Sequence, residues 1–142
     1  MSSENKQVST EVAKKAVSAS FRDFNLKKKL ENAPLLHYPL VFPGQGDTGH
    51  WLKIRNRHSE EFRQADLKAQ RQISALVVAN GSFEKIDKDM LDDINMRAFC
   101  KLVASWSFEE ECSEDNLIEF FNNNSFAYDD INRLAAQDSL FF

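Results

Sequence analysis

A change of hydrophobic period near residue 58 constrains this chain more than any other feature. At residues 51–56, Trp51, Lys53 and Arg55 alternate with Leu52, Ile54 and Asn56, the period of two expected of a strand with one covered face. From residue 59 onward the period becomes helical, with Phe62, Ala65, Ala69, Ile73, Leu76 and Val77 recurring every three or four residues. A chain that switches in this way predicts a mixed fold, with sheet first and helices after. Residues 35–42 (LLHYPLVF) and 50–56 (HWLKIRN) flank PGQGDTG, which predicts a β-hairpin over about 35–56 with a broad turn. Pro39 has no N–H to donate to a ladder, which predicts that the first strand is an edge or starts there.

The helical part can be divided by its caps. Ser59, followed by Glu60 and Glu61, starts a helix predicted over 59–79, and Asn80-Gly81 stops it. Asp87 starts a second, predicted over 87–106 on the stripe Leu91, Ile94, Ala98, Phe99, Leu102, Val103 and Trp106. Ser113 precedes a third over 113–122, carrying Leu117, Ile118, Phe120 and Phe121, and a fourth is expected over 128–140 with Ile131, Leu134 and Ala135 on one side. A length of 142 residues suits one domain, so the expected architecture is mostly α (α+β): a hairpin and about four helices within residues 20–142. Residues 1–19 hold no apolar side chain larger than Val after Met1 and are expected to be mobile.

Charge is distributed unevenly. Residues 1–30 carry seven Lys/Arg and three Asp/Glu, whereas residues 107–142 carry one and nine, within a net charge of -4. The acidic tail also holds six of the twelve phenylalanines, a combination that suggests an amphipathic contact surface. Such a basic head and acidic tail would let neighbouring copies associate head to tail. Basic clusters at Lys14-Lys15 and Lys27 to Lys29 lack an aromatic or Arg-rich base-reading pattern, so nucleic acid is disfavoured as a partner. No stretch nears the roughly 18 uncharged apolar residues of a spanning helix, and the start of the chain is polar, which predicts a cytosolic protein with no membrane partner.

Motifs for catalysis are weak. Gly44 and Gly49 have the spacing of a phosphate loop, but His50-Trp51 stands where Lys and Ser/Thr would hold phosphate and magnesium. His37, His50 and His58 cluster around the hairpin without a spacing that enforces metal binding. Cys100 falls beside the stripe position Phe99 and is expected to behave as a small hydrophobe, and Cys112 sits among five acids, expected to suppress its thiolate. The run Glu109 to Glu111 lacks calcium-loop spacing and reads as a solvated face. No cofactor and no metal are expected.

Taken in order, Trp51-Leu52-Lys53-Ile54-Arg55, the S-x-x-F-R-x-A start at residues 59–65, the W-x-F at 106–108, Asn116-Leu117, Ile131-Asn132-Arg133-Leu134-Ala135 and the closing Phe141-Phe142 resemble the tail assembly chaperones of long-tailed bacteriophages over about residues 20–142. The resemblance implies a protein without catalysis in the host cytoplasm. It would bind the tape measure protein, keep it soluble while tail tube protein polymerises around it, associate with itself, and be absent from the finished virion. It also implies a longer frameshifted form, for which codons at Phe141-Phe142 would be the place to look. A binder of exposed apolar helices needs an apolar groove rimmed by charge, and Phe120, Phe121, Phe141 and Phe142 are the candidate partner-binding residues. Aromatics at helical spacing usually face inward, so Phe120 and Phe121 fit a core better than a contact surface, while the terminal pair is expected to be exposed. A helical nucleic-acid-binding regulator and a permanent structural tail protein are the alternatives.

Overall fold

The period-two segment becomes the middle strand of a three-stranded antiparallel sheet in a computed structural model that describes residues 20–142. The segment 1–19, expected to be mobile, lies outside the described residues. Strand β1 (Leu36–Phe42) pairs with one edge of β2 (Gly46–Ile54), and β3 (Val103–Trp106) pairs with the other. Leu52 and Ile54 are fully buried and Trp51, Lys53 and Arg55 half-buried, so the alternation identifies the face that meets the core. Pro39 lies on the edge strand, opposite Trp51.

The hairpin turn is tighter than the broad loop expected from the sequence. Gln45 N–H donates to the Phe42 carbonyl at 3.0 Å, with Pro43 and Gly44 between them, and Gly44 has a φ of 80°. Proline followed by a positive φ is the type II arrangement, and only a residue without Cβ enters it unstrained. Residues 46–49 therefore belong to β2. The register slips between Pro39 and Val41, where the Thr48 hydroxyl donates to the Leu40 carbonyl at 2.8 Å in place of a ladder bond.

Among the described residues five α-helices accompany the sheet: α1 (Leu26–Glu31), α2 (Glu60–Asn80), α3 (Lys88–Phe99), α4 (Glu114–Asn123) and α5 (Ser125–Ala135). The expected caps operate, with Ser59, Asp87 and Ser113 side chains accepting from the N–H groups of Phe62, Asp89 and Asn116. Gly81 closes α2 in the left-handed region, donating to the Val77 carbonyl at 2.9 Å.

The predicted helix over 87–106 is not continuous. It ends at Phe99, turns through a 3-10 segment at Cys100–Leu102, and continues as β3. Arg55 N–H donates to the Leu102 carbonyl at 2.6 Å and Ser107 N–H to the Trp51 carbonyl at 3.0 Å. The backbone there bonds to β2 instead of to its own preceding turn, a non-local choice that residue spacing cannot report. The last predicted helix also shifts, from 128–140 to Ser125–Ala135, followed by a separate 3-10 turn at Asp138–Phe141.

Tyr38, Leu40, Leu52 and Ile54 from the sheet pack with Phe99 and Leu102, with Leu117 and Phe121 of α4, and with Ala127, Ile131 and Ala135 of α5. Two polar contacts tie the periphery to this core. The Tyr38 hydroxyl donates to Asp130 Oδ2 at 3.0 Å, and the buried Asn56 amide donates to the Leu30 carbonyl at 3.2 Å, holding the end of α1. Helices α2 and α3 pack against each other, and only Phe62, Ala69, Ala98 and Phe99 are buried within them.

The terminal phenylalanines part company, correcting the expectation that both are exposed: Phe141 is 1% exposed and Phe142 66%. Phe141 ends the 3-10 turn and packs inward, while Phe142 lies just past it and faces solvent. Truncating Phe121 or Phe141 to Ala should cost about 3–5 kcal/mol in chemical denaturation, whereas Phe142→Ser should change stability by less than about 0.5 kcal/mol. Equal effects of Phe141→Ala and Phe142→Ser would contradict the burial described here.

Candidate functional site

The site is built where the end of β3 meets α4. Trp106 closes β3 opposite Leu52, and its indole N–H donates to the Glu110 carbonyl at 2.8 Å, which folds residues 107–110 back over the strand end. Phe108 comes to lie 5.1 Å from Trp106, edge to face, and 5.6 Å from Phe120 of α4. Phe120 is 5.9 Å from Trp106, so the three rings form a mutually contacting set. The serine between the first two rings orders the strand end: Ser107 Oγ accepts from Trp51 N–H at 2.9 Å and lies 3.0 Å from His50 Nδ1, while the His50 ring stacks on Phe108 at 4.4 Å.

Trp106, Phe108 and Phe120 line an open cleft of about 300 Å³ whose other walls include Glu110, Asn116 and Glu119. That volume is at the small end of the roughly 300–1,000 Å³ typical of ligand pockets, enough for a few apolar side chains of another polypeptide. Asn116 is held in place by its amide, which donates to the Glu111 carbonyl at 2.8 Å, and the Asn124 amide fixes the end of α4 on the Phe120 carbonyl at 2.9 Å. Glu110 and Glu119 are solvent-exposed, and among the described residues neither forms an ion pair. The rim is thus an uncompensated negative charge beside an aromatic floor.

Of the four phenylalanines nominated from the sequence, Phe120 alone lines this cleft. Phe121 points the other way into the core, 5.1 Å from Phe99 and 6.3 Å from Tyr128, because consecutive helical residues face about 100° apart. Phe141 is buried and Phe142 exposed, and neither is a wall of the cleft. Trp106 and Phe108 were not nominated as contact residues, although the W-x-F spacing already puts two large rings two apart on an extended segment, where they share a face.

The rest of the molecule offers less. His37 contacts Trp51, His50 contacts Phe108 and His58 pairs with Asp138 at 3.5 Å, so the three imidazoles have separate neighbours. Among the described residues no three His, Cys, Asp or Glu side chains gather as a metal would need, and no helix is long and apolar enough to cross a membrane. Both cysteines border a smaller cavity with Arg55, Lys101 and Glu114. Burial, aided by the Glu114 carboxylate, pushes the Cys100 thiol up to about 12. Cys112 is raised as well, by burial and against the pull of Arg55, not by the acidic run beside it in sequence. Neither thiol is activated as a nucleophile.

Because the folded Cys100 thiol keeps its proton to about 12 while an ordinary thiol loses it near 9.0, its contribution to stability is complete below pH 9.0 and declines as pH rises toward 12. The stability margin of the wild type over Cys100→Ala should therefore narrow above pH about 9 in urea titrations, and a margin that stays constant to about pH 10.5 would contradict it. Compared with known proteins, the chain matches no family model, no curated protein and no solved structure.

Proposed function

We propose that this chain is a non-catalytic binding protein, a tail assembly chaperone of a long-tailed bacteriophage that shields apolar helical segments of the tape measure protein and associates with itself. The observation that carries the reading is the Trp106, Phe108 and Phe120 floor beside the unpaired Glu110 and Glu119 rim. Rigid rings offer large apolar area at small entropic cost, because each has only two rotatable side-chain bonds. The acidic rim favours clients in which Lys or Arg flanks the apolar face, and its field speeds their encounter. A shallow, open cleft suits capture and release, since a client must leave when tube subunits take it over.

The test is coexpression with the long helical tape measure polypeptide. The wild-type chain should hold that polypeptide in the soluble fraction, and Phe108→Ser combined with Glu119→Lys should weaken binding by about tenfold, the equivalent of about 1.4 kcal/mol, and lower the soluble share. Circular dichroism should find the variant folded. A client that is equally soluble without this chain, or equally well protected by the variant, would remove the proposal.

A further inference from the structure

At the opposite end of the charge gradient, the structure exposes a segment that matches the cleft in chemistry. Phe21 is 76% exposed and Phe24 66%, and they stand beside Arg22 and Lys27, Lys28 and Lys29. The Arg22 guanidinium lies over the Phe21 ring at 4.6 Å. Among the described residues none of these lysines forms an ion pair, as none of the cleft's rim carboxylates does. The segment is anchored just behind its last lysine, where Leu30 is buried and its carbonyl accepts from Asn56. It therefore presents two solvent-exposed rings on a tethered base, with Arg22 and three lysines outnumbering the one anion of the segment, Asp23. No hydrogen bond, ring contact or cation–π contact among the described residues joins it to Trp106, Phe108 or Phe120 of its own chain.

We infer that segment 21–29 of one copy docks in the Trp106/Phe108/Phe120 cleft of a second copy, placing Phe21 and Phe24 on the aromatic floor and its lysines beside Glu110 and Glu119. Two arguments select this occupant. Lys27, Lys28 and Lys29 are opposite in sign to Glu110 and Glu119, and among the described residues none of these five side chains forms an ion pair, so contact neutralises both sets. The exposed rings gain by leaving water, and the cleft floor gains with them. The contact is heterologous, since the head of one copy meets the tail of the next, so it repeats into rings or open chains instead of stopping at a symmetric pair. It rests on the reading of the cleft as a binding surface and adds to it: the neighbour's head occupies the cleft until a client displaces it.

Sedimentation velocity on the full chain tests this directly. The wild type should associate at about 0.05 M salt, and about 0.5 M salt should weaken association by roughly tenfold. A head variant (Phe21→Ser with Phe24→Ser) and a cleft variant (Glu110→Lys with Glu119→Lys) alter only exposed residues and should each sediment as monomers. Mixed in equal amounts, they should form dimers and nothing larger, because the intact head of one fits the intact cleft of the other and the remaining pair cannot join. A wild type that is monomeric at low salt, variants that associate as before, or a mixture that stays monomeric would each overturn the inference. The head variant keeps its cleft, so its capture of the tape measure client separates the two proposals. Client capture with no head-to-cleft association leaves the proposed function standing alone, and the reverse result leaves only the self-association.

Discussion

Arg55 donates its backbone N–H to the Leu102 carbonyl at 2.6 Å, and its guanidinium to the carbonyls of Lys101 and Val103 at 2.9 and 3.3 Å. These bonds convert the residues after α3 from helix to strand and give β2 a partner on its second edge. The consequences propagate through the molecule. With both edges of β2 paired, Leu52 and Ile54 can be fully buried without leaving backbone groups unsatisfied. With β3 extended, Trp106 ends at the sheet rim and not on a helix face, and the chain can return over it through the indole bond to Glu110. The cleft exists because that turn brings Phe108 up to Phe120.

Core and cleft are parts of one aromatic array. Phe99 contacts Phe121 and Tyr128, Phe121 contacts Phe120, and Phe120 contacts Trp106 and Phe108. The inner members are buried and set the position of α4, and the outer members inherit that position while facing solvent. A binding surface supported in this way is preorganised, so little side-chain entropy remains to be lost when a partner arrives. Arg97 adds rigidity from the polar side, joining Asp93 of α3 to Glu114 of α4 at 2.9 Å each.

Local signals in the sequence translated well. Ser59, Asp87 and Ser113 cap the helices they were expected to cap, Gly81 ends α2, and the alternation at 51–56 matches burial residue by residue. Each depends on side-chain chemistry within a few positions along the chain. The stripe at Phe99, Leu102, Val103 and Trp106 has a spacing that suits a helix, but the bonds that decide its structure come from β2, about fifty residues away. Likewise Phe120 and Phe121 are equivalent in composition, and Phe141 and Phe142 are too, until packing turns one of each pair inward.

From its own order of residues the chain determined a hairpin followed by capped helices, an edge at Pro39, and a basic head separated from an acidic, phenylalanine-rich tail. These follow from backbone preference, period and charge, which are properties of neighbours. Tertiary structure alone decided that 103–106 would be a strand, which ring of each pair would face water, and that Trp106 and Phe108 would join Phe120 around one cleft. The physical reason is that a backbone hydrogen bond or a buried ring is satisfied by whatever lies across the fold, and nothing at residue 106 encodes what residue 120 will bring to meet it.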